Sequence, residues 1–166
     1  YTSVNTLSLH DALPISLLPV LLSSSDDRCN TWRPCIVEPG EAHAHEIAEA
    51  LPHDRDFPCV TGFNAFEAKP GARVVLRVRR FRTFHDGDVM SFDLVEVHPL
   101  LVVDTCGEGR VACFASDVAP HWVGSLVDWG IPRIRAQAEG FNPIEVGCCY
   151  AELFERMVRW VLPHAE

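Results

Sequence analysis

Between Gly107 and Gly130 the chain reads GEGRVACFASDVAPHWVGSLVDWG. Ser116, Asp117, His121 and Asp128 stand there beside Trp122 and Trp129. Hydroxyl, carboxylate and imidazole groups are the raw material of acid–base and nucleophilic chemistry. The indoles offer flat apolar surface with one polar edge. These residue types make a candidate ligand site, with Ser116, Trp122 and Trp129 as binding residues, but they name no reaction by themselves.

The elements that must position them follow from the local pattern. Arg110 to Ser116 reads as a buried strand of small and apolar residues, entered through a tight turn at Gly107 and Gly109. Pro120 has no backbone donor and biases Ala119 toward an extended conformation, which fixes how His121 and Trp122 leave the strand. Polar residues at the C-terminal end of a strand are where open α/β sheets place their ligands. Further strands are expected at Leu17 to Leu22, Pro58 to Asn64, Ala72 to Val78 and Leu100 to Asp104, with a short helix over 43–51. From Glu145 onward, Val146, Cys149, Tyr150, Leu153, Phe154, Met157, Trp160 and Val161 recur at helical steps, with Glu152, Glu155, Arg156 and Arg159 on the other side. This predicts an amphipathic C-terminal helix ended by Pro163, whose aromatic residues pack on a sheet.

Composition narrows the partners. The chain has 166 residues, 48% hydrophobic and 22% charged, which suits one globular domain with its own core. No apolar run approaches the roughly 20 residues of a membrane-spanning helix. A net charge of −9 disfavours nucleic acid and anionic lipid, and Arg73, Arg77, Arg79, Arg80 and Arg82 read as the solvent face of a strand. The 7 cysteines form neither a C-x-x-C pair nor an even-numbered disulfide framework, so core thiols in a reducing cytoplasm are expected, Cys113 in mid-strand and Cys149 on a helix's apolar face among them. His43 and His45 could ligate a metal, but on a short helix they would point to different sides. No metal and no cofactor is expected.

The pattern G-x-G-R-V-x-x-F-x-S-D-x-A-P-H-W followed by V-D-W-G resembles the putative glutamine amidotransferase family of the class I glutamine amidotransferase-like superfamily. Asp26-Asp27-Arg28, Ile47 to Pro52, Gly62-Phe63-Asn64, Lys69 to Ala72 and the stretch from Val146 to Trp160 fall in the same order. The resemblance runs over roughly residues 17 to 162. It implies an α/β, three-layer, flavodoxin-like sheet, incomplete at its N-terminal side. Arg79 to Val97 is longer than the link expected between its flanking strands.

The resemblance also implies amide hydrolysis or transfer on a small-molecule amide substrate. Such chemistry needs a nucleophilic Cys on a G-x-C-x-G elbow, a His base and an acid that orients it. No Cys here has glycine two residues before and two after, and no serine completes the equivalent motif. His121 is the candidate base, because it follows the strand that precedes the catalytic His in amidotransferases, with Asp117 or Asp128 as its orienter. Those enzymes usually carry H-P-E, whereas here Pro120 precedes the His and Trp122-Val123 follow it. The competing reading makes His121 and Trp122 a strand cap and gives Asp117 the backbone N–H groups of its own turn. The function expected is a glutamine amidotransferase-like domain, inactive in this chain for want of the elbow; the alternative is a non-catalytic binding or scaffold domain with the same fold.

Thr6 to Ile15, TLSLHDALPI, resembles a translated sequencing adapter. Residues 1–16 are therefore expected to be an artefactual leader and 17–162 the C-terminal part of the amidotransferase-like domain. A signal peptide fits less well, since a basic start is absent and Asp11 and Pro14 interrupt the apolar run. A domain cut in this way would leave a sheet edge open to self-association.

Overall fold

The computed structural model describes residues 13–42, 44–49, 52, 57–118 and 121–162. Its elements in chain order are α1 (Leu13–Leu17), β1 (Val20–Leu21), β2 (Arg28–Pro39), β3 (Cys59–Asn64), β4 (Glu67–Ala68), β5 (Arg73–Asp86), β6 (Val89–Cys106) and β7 (Gly109–Phe114). A 3-10 helix (Gly124–Asp128), β8 (Arg133–Ala136), β9 (Ile144–Gly147) and α2 (Cys148–Val161) complete them. The chain is thus mixed α/β, mostly sheet, with its longest helix at the C-terminal end.

The principal sheet has five strands in the order β3-β2-β5-β6-β7. Every pairing among the described residues is antiparallel. A flavodoxin-like layer is made of parallel strands joined by helical crossovers, and no such pair occurs among the described residues. The physical reason is connection length: β5 to β6 and β6 to β7 are joined by two-residue turns at Gly87-Asp88 and Gly107-Glu108, too short to return a parallel strand. Gly87 and Gly107 both adopt φ of 59°, the left-handed conformation such hairpin turns need.

Strands β3 and β7 fall close to their expected places, and two others are found at greater length. Ala72 to Val78 and Leu100 to Asp104 are the proximal parts of β5 and β6, and the stretch from Arg79 to Val97 between them is no link but the continuation of both strands into an arm. Beyond Arg79, β5 has no second neighbour in register, and β6 gains β7 only from Leu101 onward. Phe84, Val89, Met90, Phe92 and Leu94 on this arm are accordingly exposed. At its base, Glu38 receives both Arg77 and Arg79, and Arg80 pairs with Glu96, so much of the arginine cluster is ion-paired.

Two other expectations need correction. Residues 44–49 form turns rather than a regular helix, with His45 N–H on Ala42 O and Ala48 N–H on His45 O. His45 is the reason: its buried Nδ1 accepts the Ile47 N–H at 3.3 Å, a local bond that competes with the helical ladder. The expected strand over Leu17 to Leu22 contracts to Val20–Leu21, paired with Ala68 and Glu67, and α1 takes Leu17. Of the leader, residues 1–12 lie outside the described residues, and Ser16 O accepts the Lys69 ammonium.

The core lies where β5 and β6 cross the sheet. Leu100, Leu101, Val102 and Val103 are all buried; successive strand residues face opposite sides, so both faces are covered here. On one side α2 packs through Leu153 and Trp160, and Phe154 meets Phe114 of β7 edge to face at 5.4 Å. Its polar side carries Glu152–Arg156 and Glu155–Arg159 pairs one turn apart. The helix starts later than its apolar periodicity suggests, because Ile144–Gly147 is drawn into a ladder with Arg133–Ala136. Trp129 O then accepts the N–H groups of Cys149 and Tyr150, serving as the N-terminal cap.

Candidate functional site

Strand β3 is the outer strand of the sheet, and an outer strand presents unpaired backbone groups. The segment that follows β7 meets that need. Ala115 N–H bonds Leu100 O of β6 while Ala115 O accepts Asn64 N–H of β3, so one residue joins the outer strand β3 to β6, three places away in the strand order. The sheet is therefore curled toward closure, and residues 115–118 and 121–125 run along the β3 edge as a strap.

Four side chains of the strap, Ser116, Asp117, Trp122 and Ser125, have partners that this geometry dictates. Ser116 Oγ donates to Gly62 O at 2.9 Å. Thr61 N–H bonds Trp122 O, and Thr61 Oγ1 donates to His121 O at 3.0 Å. Cys59 N–H bonds Ser125 Oγ at 2.8 Å. Asp117 Oδ1 accepts the Trp122 N–H at 3.0 Å, closing the turn that contains His121. Trp122 lays its indole across Gly62 and donates Nε1–H to Asn30 Oδ1 at 2.6 Å, on the strand beyond. A Cβ built at Gly62 would lie 2.3 Å from the ring, so only glycine admits this stacking.

The six residues expected at the site are thus distributed as follows. Ser116, Asp117 and Trp122 come together on β3 and are engaged in holding it. His121 projects from the same turn as an exposed residue. Among the described residues, no hydrogen bond or ion pair links its side chain to Asp117 or Asp128. Asp128, at the end of the 3-10 helix, pairs with Arg133. Trp129 is buried, its Nε1 has no partner among the described residues, and its ring lines a small, half-open space of about 10 Å³ with Val37, Ala48, Phe57 and Leu76. That volume is about one water probe, not a substrate pocket. A wider, open depression of about 610 Å³ lies elsewhere, against His45 and Arg73.

Thiol chemistry is constrained by burial. Cys35 is fully buried, and desolvation pushes its pKa up to about 11. Cys29, Cys59 and Cys113 are raised for the same leading reason. Cys149 also reaches about 11, first by burial and then through its contact with Cys148. A buried apolar setting disfavours the thiolate, which is the reactive form. His45 is shifted downward, again chiefly by burial, so its imidazole is held neutral. It stands edge to face with Trp160 at 5.1 Å. His43, the other half of the H-x-H pair, lies outside the described residues. Among the described residues no group of three or more His, Cys, Asp or Glu is arranged to hold a metal ion.

Sequence reasoning missed Asn30, Thr61, Gly62 and Ser125. Asn30 and Trp122 are 92 residues apart, and Thr61 and His121 are 60 apart, so no local spacing could reveal the pairing. The one visible signal was the glycine in the Gly62-Phe63-Asn64 block.

No curated protein matches the chain. A cytoplasmic protein of Salmonella typhimurium has a similar solved structure, with a TM-score of 0.61 and 22% identity over 91% of this chain and 46% of that one. A second cytoplasmic protein, from Salmonella typhimurium LT2, gives a TM-score of 0.52 and 27% identity over 69% of this chain and 38% of that one. The chain therefore spans less than half the length of either. No described helix is long and apolar enough to cross a membrane. A family model described as "Putative glutamine amidotransferase" matches residues 2–133, from within the expected leader through the β3 strap to the start of β8. With that match over most of its length, the chain belongs to this glutamine amidotransferase-like family.

Proposed function

We propose that this chain is a glutamine amidotransferase-like domain that performs no amide hydrolysis by itself. The observation that carries the reading is the strap: Ser116, Asp117 and Trp122 are occupied by Gly62, the Trp122 N–H and Asn30. His121 is left without an orienting carboxylate among the described residues. Nucleophilic catalysis by a thiol requires a Cys whose thiolate is favoured and a base within hydrogen-bond reach. Cys29, Cys35, Cys59, Cys113 and Cys149 are all shifted in the opposite direction, and no G-x-C-x-G elbow is present in the sequence. A small-molecule amide remains the substrate class that family membership supports for a longer protein. The cytoplasm is the proposed location, on the names of the two similar proteins and the reducing state that free cysteines imply.

A second reading, a non-catalytic binding or scaffold domain, is favoured by the same strap, because its side chains are used for edge protection. Ammonia release from glutamine, combined with labelling by a glutamine-analogue electrophile, tests the absence of hydrolysis on which both readings rest. The proposal expects ammonia at background and no single cysteine labelled in preference. His121→Ala should leave both readouts and the melting temperature unchanged, since an exposed side chain free of such contacts is worth less than about 0.5 kcal/mol. Turnover that disappears in His121→Ala would refute the proposal and restore His121 as the base.

A further inference from the structure

β2 and β5 pair only from Ile36 opposite Arg79 to Pro39 opposite Leu76, although both strands run on past the first of these pairs. Two features of the sequence end the ladder there. Val37 N–H bonds Pro58 O on the β3 side, so by strand alternation Ile36 and then Pro34 turn their backbone toward β5, and Pro34 has no N–H to give. Continued in the same register, the ladder would also set Arg33 directly opposite Arg82, and like charges in that position repel. β2 instead shifts register between Asn30 and Cys35. Thr31 Oγ1 takes the place of a neighbouring strand, accepting Arg33 N–H at 3.0 Å and donating to Arg33 O at 2.8 Å. The parted strands leave a cleft of about 290 Å³ whose lining includes Thr31, Arg33, Arg80, Phe81, Arg82 and Val95. No Asp or Glu belongs to that lining. Arg80 is held by Glu96 of β6. Arg82 lies opposite Asp93 in the register but makes no hydrogen bond or ion pair among the described residues. Three arginines against one engaged carboxylate give the cleft positive sign within a chain of net charge −9, and a cleft focuses the field of the charges that line it.

We propose that this cleft binds a small phosphorylated molecule, whose phosphate bridges Arg33 and Arg82 across the gap between the strands. A dianion set between them turns the repulsion that parts the strands into two attractions. A phosphate presents three terminal oxygens in different directions, so guanidinium forks on opposite walls can each be met, whereas a carboxylate offers two oxygens in one plane. Phe81 and Val95 supply apolar surface for the organic part of the ligand. The volume lies near the lower end of the roughly 300–1,000 Å³ of small-molecule pockets, which restricts that part to a small body such as a single ring.

The test is isothermal titration calorimetry of the whole chain with phenyl phosphate at low ionic strength, with inorganic phosphate and benzoate as comparison ligands. One site for phenyl phosphate is expected. Inorganic phosphate, which lacks the ring, and benzoate, which lacks the dianion, should each bind about tenfold more weakly or worse. Arg33→Ala and Arg82→Ala should each weaken phenyl phosphate by about tenfold or more, the loss that follows from removing one charge-assisted hydrogen-bonding partner. Arg73→Ala, which removes an exposed arginine at the other end of β5, should bind as the parent does. Urea unfolding checks that the variants fold. Arg82→Ala has no described partner to lose, so it should be as stable as the parent and carries the test even where Arg33→Ala does not fold. No binding of millimolar phenyl phosphate by the parent, parental affinity in Arg82→Ala, an equal loss in Arg73→Ala, or either comparison ligand binding as tightly as phenyl phosphate would overturn the proposal.

Discussion

Gly62→Ala probes the strap most directly, because the added methyl would sit 2.3 Å from Trp122 Cδ1, 2.4 Å from Cγ and 2.5 Å from Nε1. No heavy-atom contact survives at those distances, so the indole must swing off β3. The backbone itself is no obstacle, since Gly62 is not among the glycines with positive φ. Two costs follow. Forcing a methyl into a filled contact costs about 1–3 kcal/mol, and losing the Trp122–Asn30 hydrogen bond costs a further ~0.5–1.5 kcal/mol. The expected loss is about 2–4 kcal/mol. For a chain of this size that lowers the melting temperature by roughly 4–16 °C. The assay is urea unfolding of four proteins: parent, Gly62→Ala, Trp122→Ala and the double variant. If the clash with Trp122 is the cause, Gly62→Ala should be neutral, or stabilising by up to about 1 kcal/mol, once the indole is gone. Additive losses in the double variant would refute the reasoning, as would a Gly62→Ala protein as stable as the parent.

Other outcomes follow from the same geometry. Asp117→Ala, which removes the acceptor of the Trp122 N–H, should cost about 1–2 kcal/mol in urea unfolding, whereas Asp117→Asn keeps an acceptor and should cost markedly less. Cys35, fully buried with a pKa near 11, should resist alkylation across neutral pH. Its thiolate accumulates only as pH rises toward 11, so site-resolved mass spectrometry should find exposed Cys106 modified first at pH 8; modification of Cys35 at a comparable rate would contradict the packing. Gly147→Ala would place a Cβ 1.9 Å from Trp129 O. That oxygen is backbone and caps α2, so loss of α2 helicity in circular dichroism is expected, with greater destabilisation than in Gly62→Ala.

Local pattern alone was enough to identify the elements whose burial is regular or continuous along the chain. The periodicity from Val146 to Val161 marked α2, since one-sided burial leaves its period in the sequence, and the β-branched and apolar runs marked the proximal parts of β5 and β6, a continuous run where both faces are covered. The motif at Ser116 to Trp122 pointed to the family and to a structured loop. Its chemistry was not legible there, because a hydroxyl, a carboxylate and an indole serve equally in a ligand site or in an edge cap. The partners that engage them come from distant parts of the chain: Gly62 O lies 54 residues from Ser116, and Asn30 lies 92 residues from Trp122. The long arm and the curl that brings Ala115 onto Asn64 were hidden for the same reason, as strand pairing is settled between distant segments and a strand's own sequence does not name its neighbour. The thiols needed tertiary structure most of all: their types are read from the chain, but burial, which controls their ionisation, exists only once the sheet has closed around them.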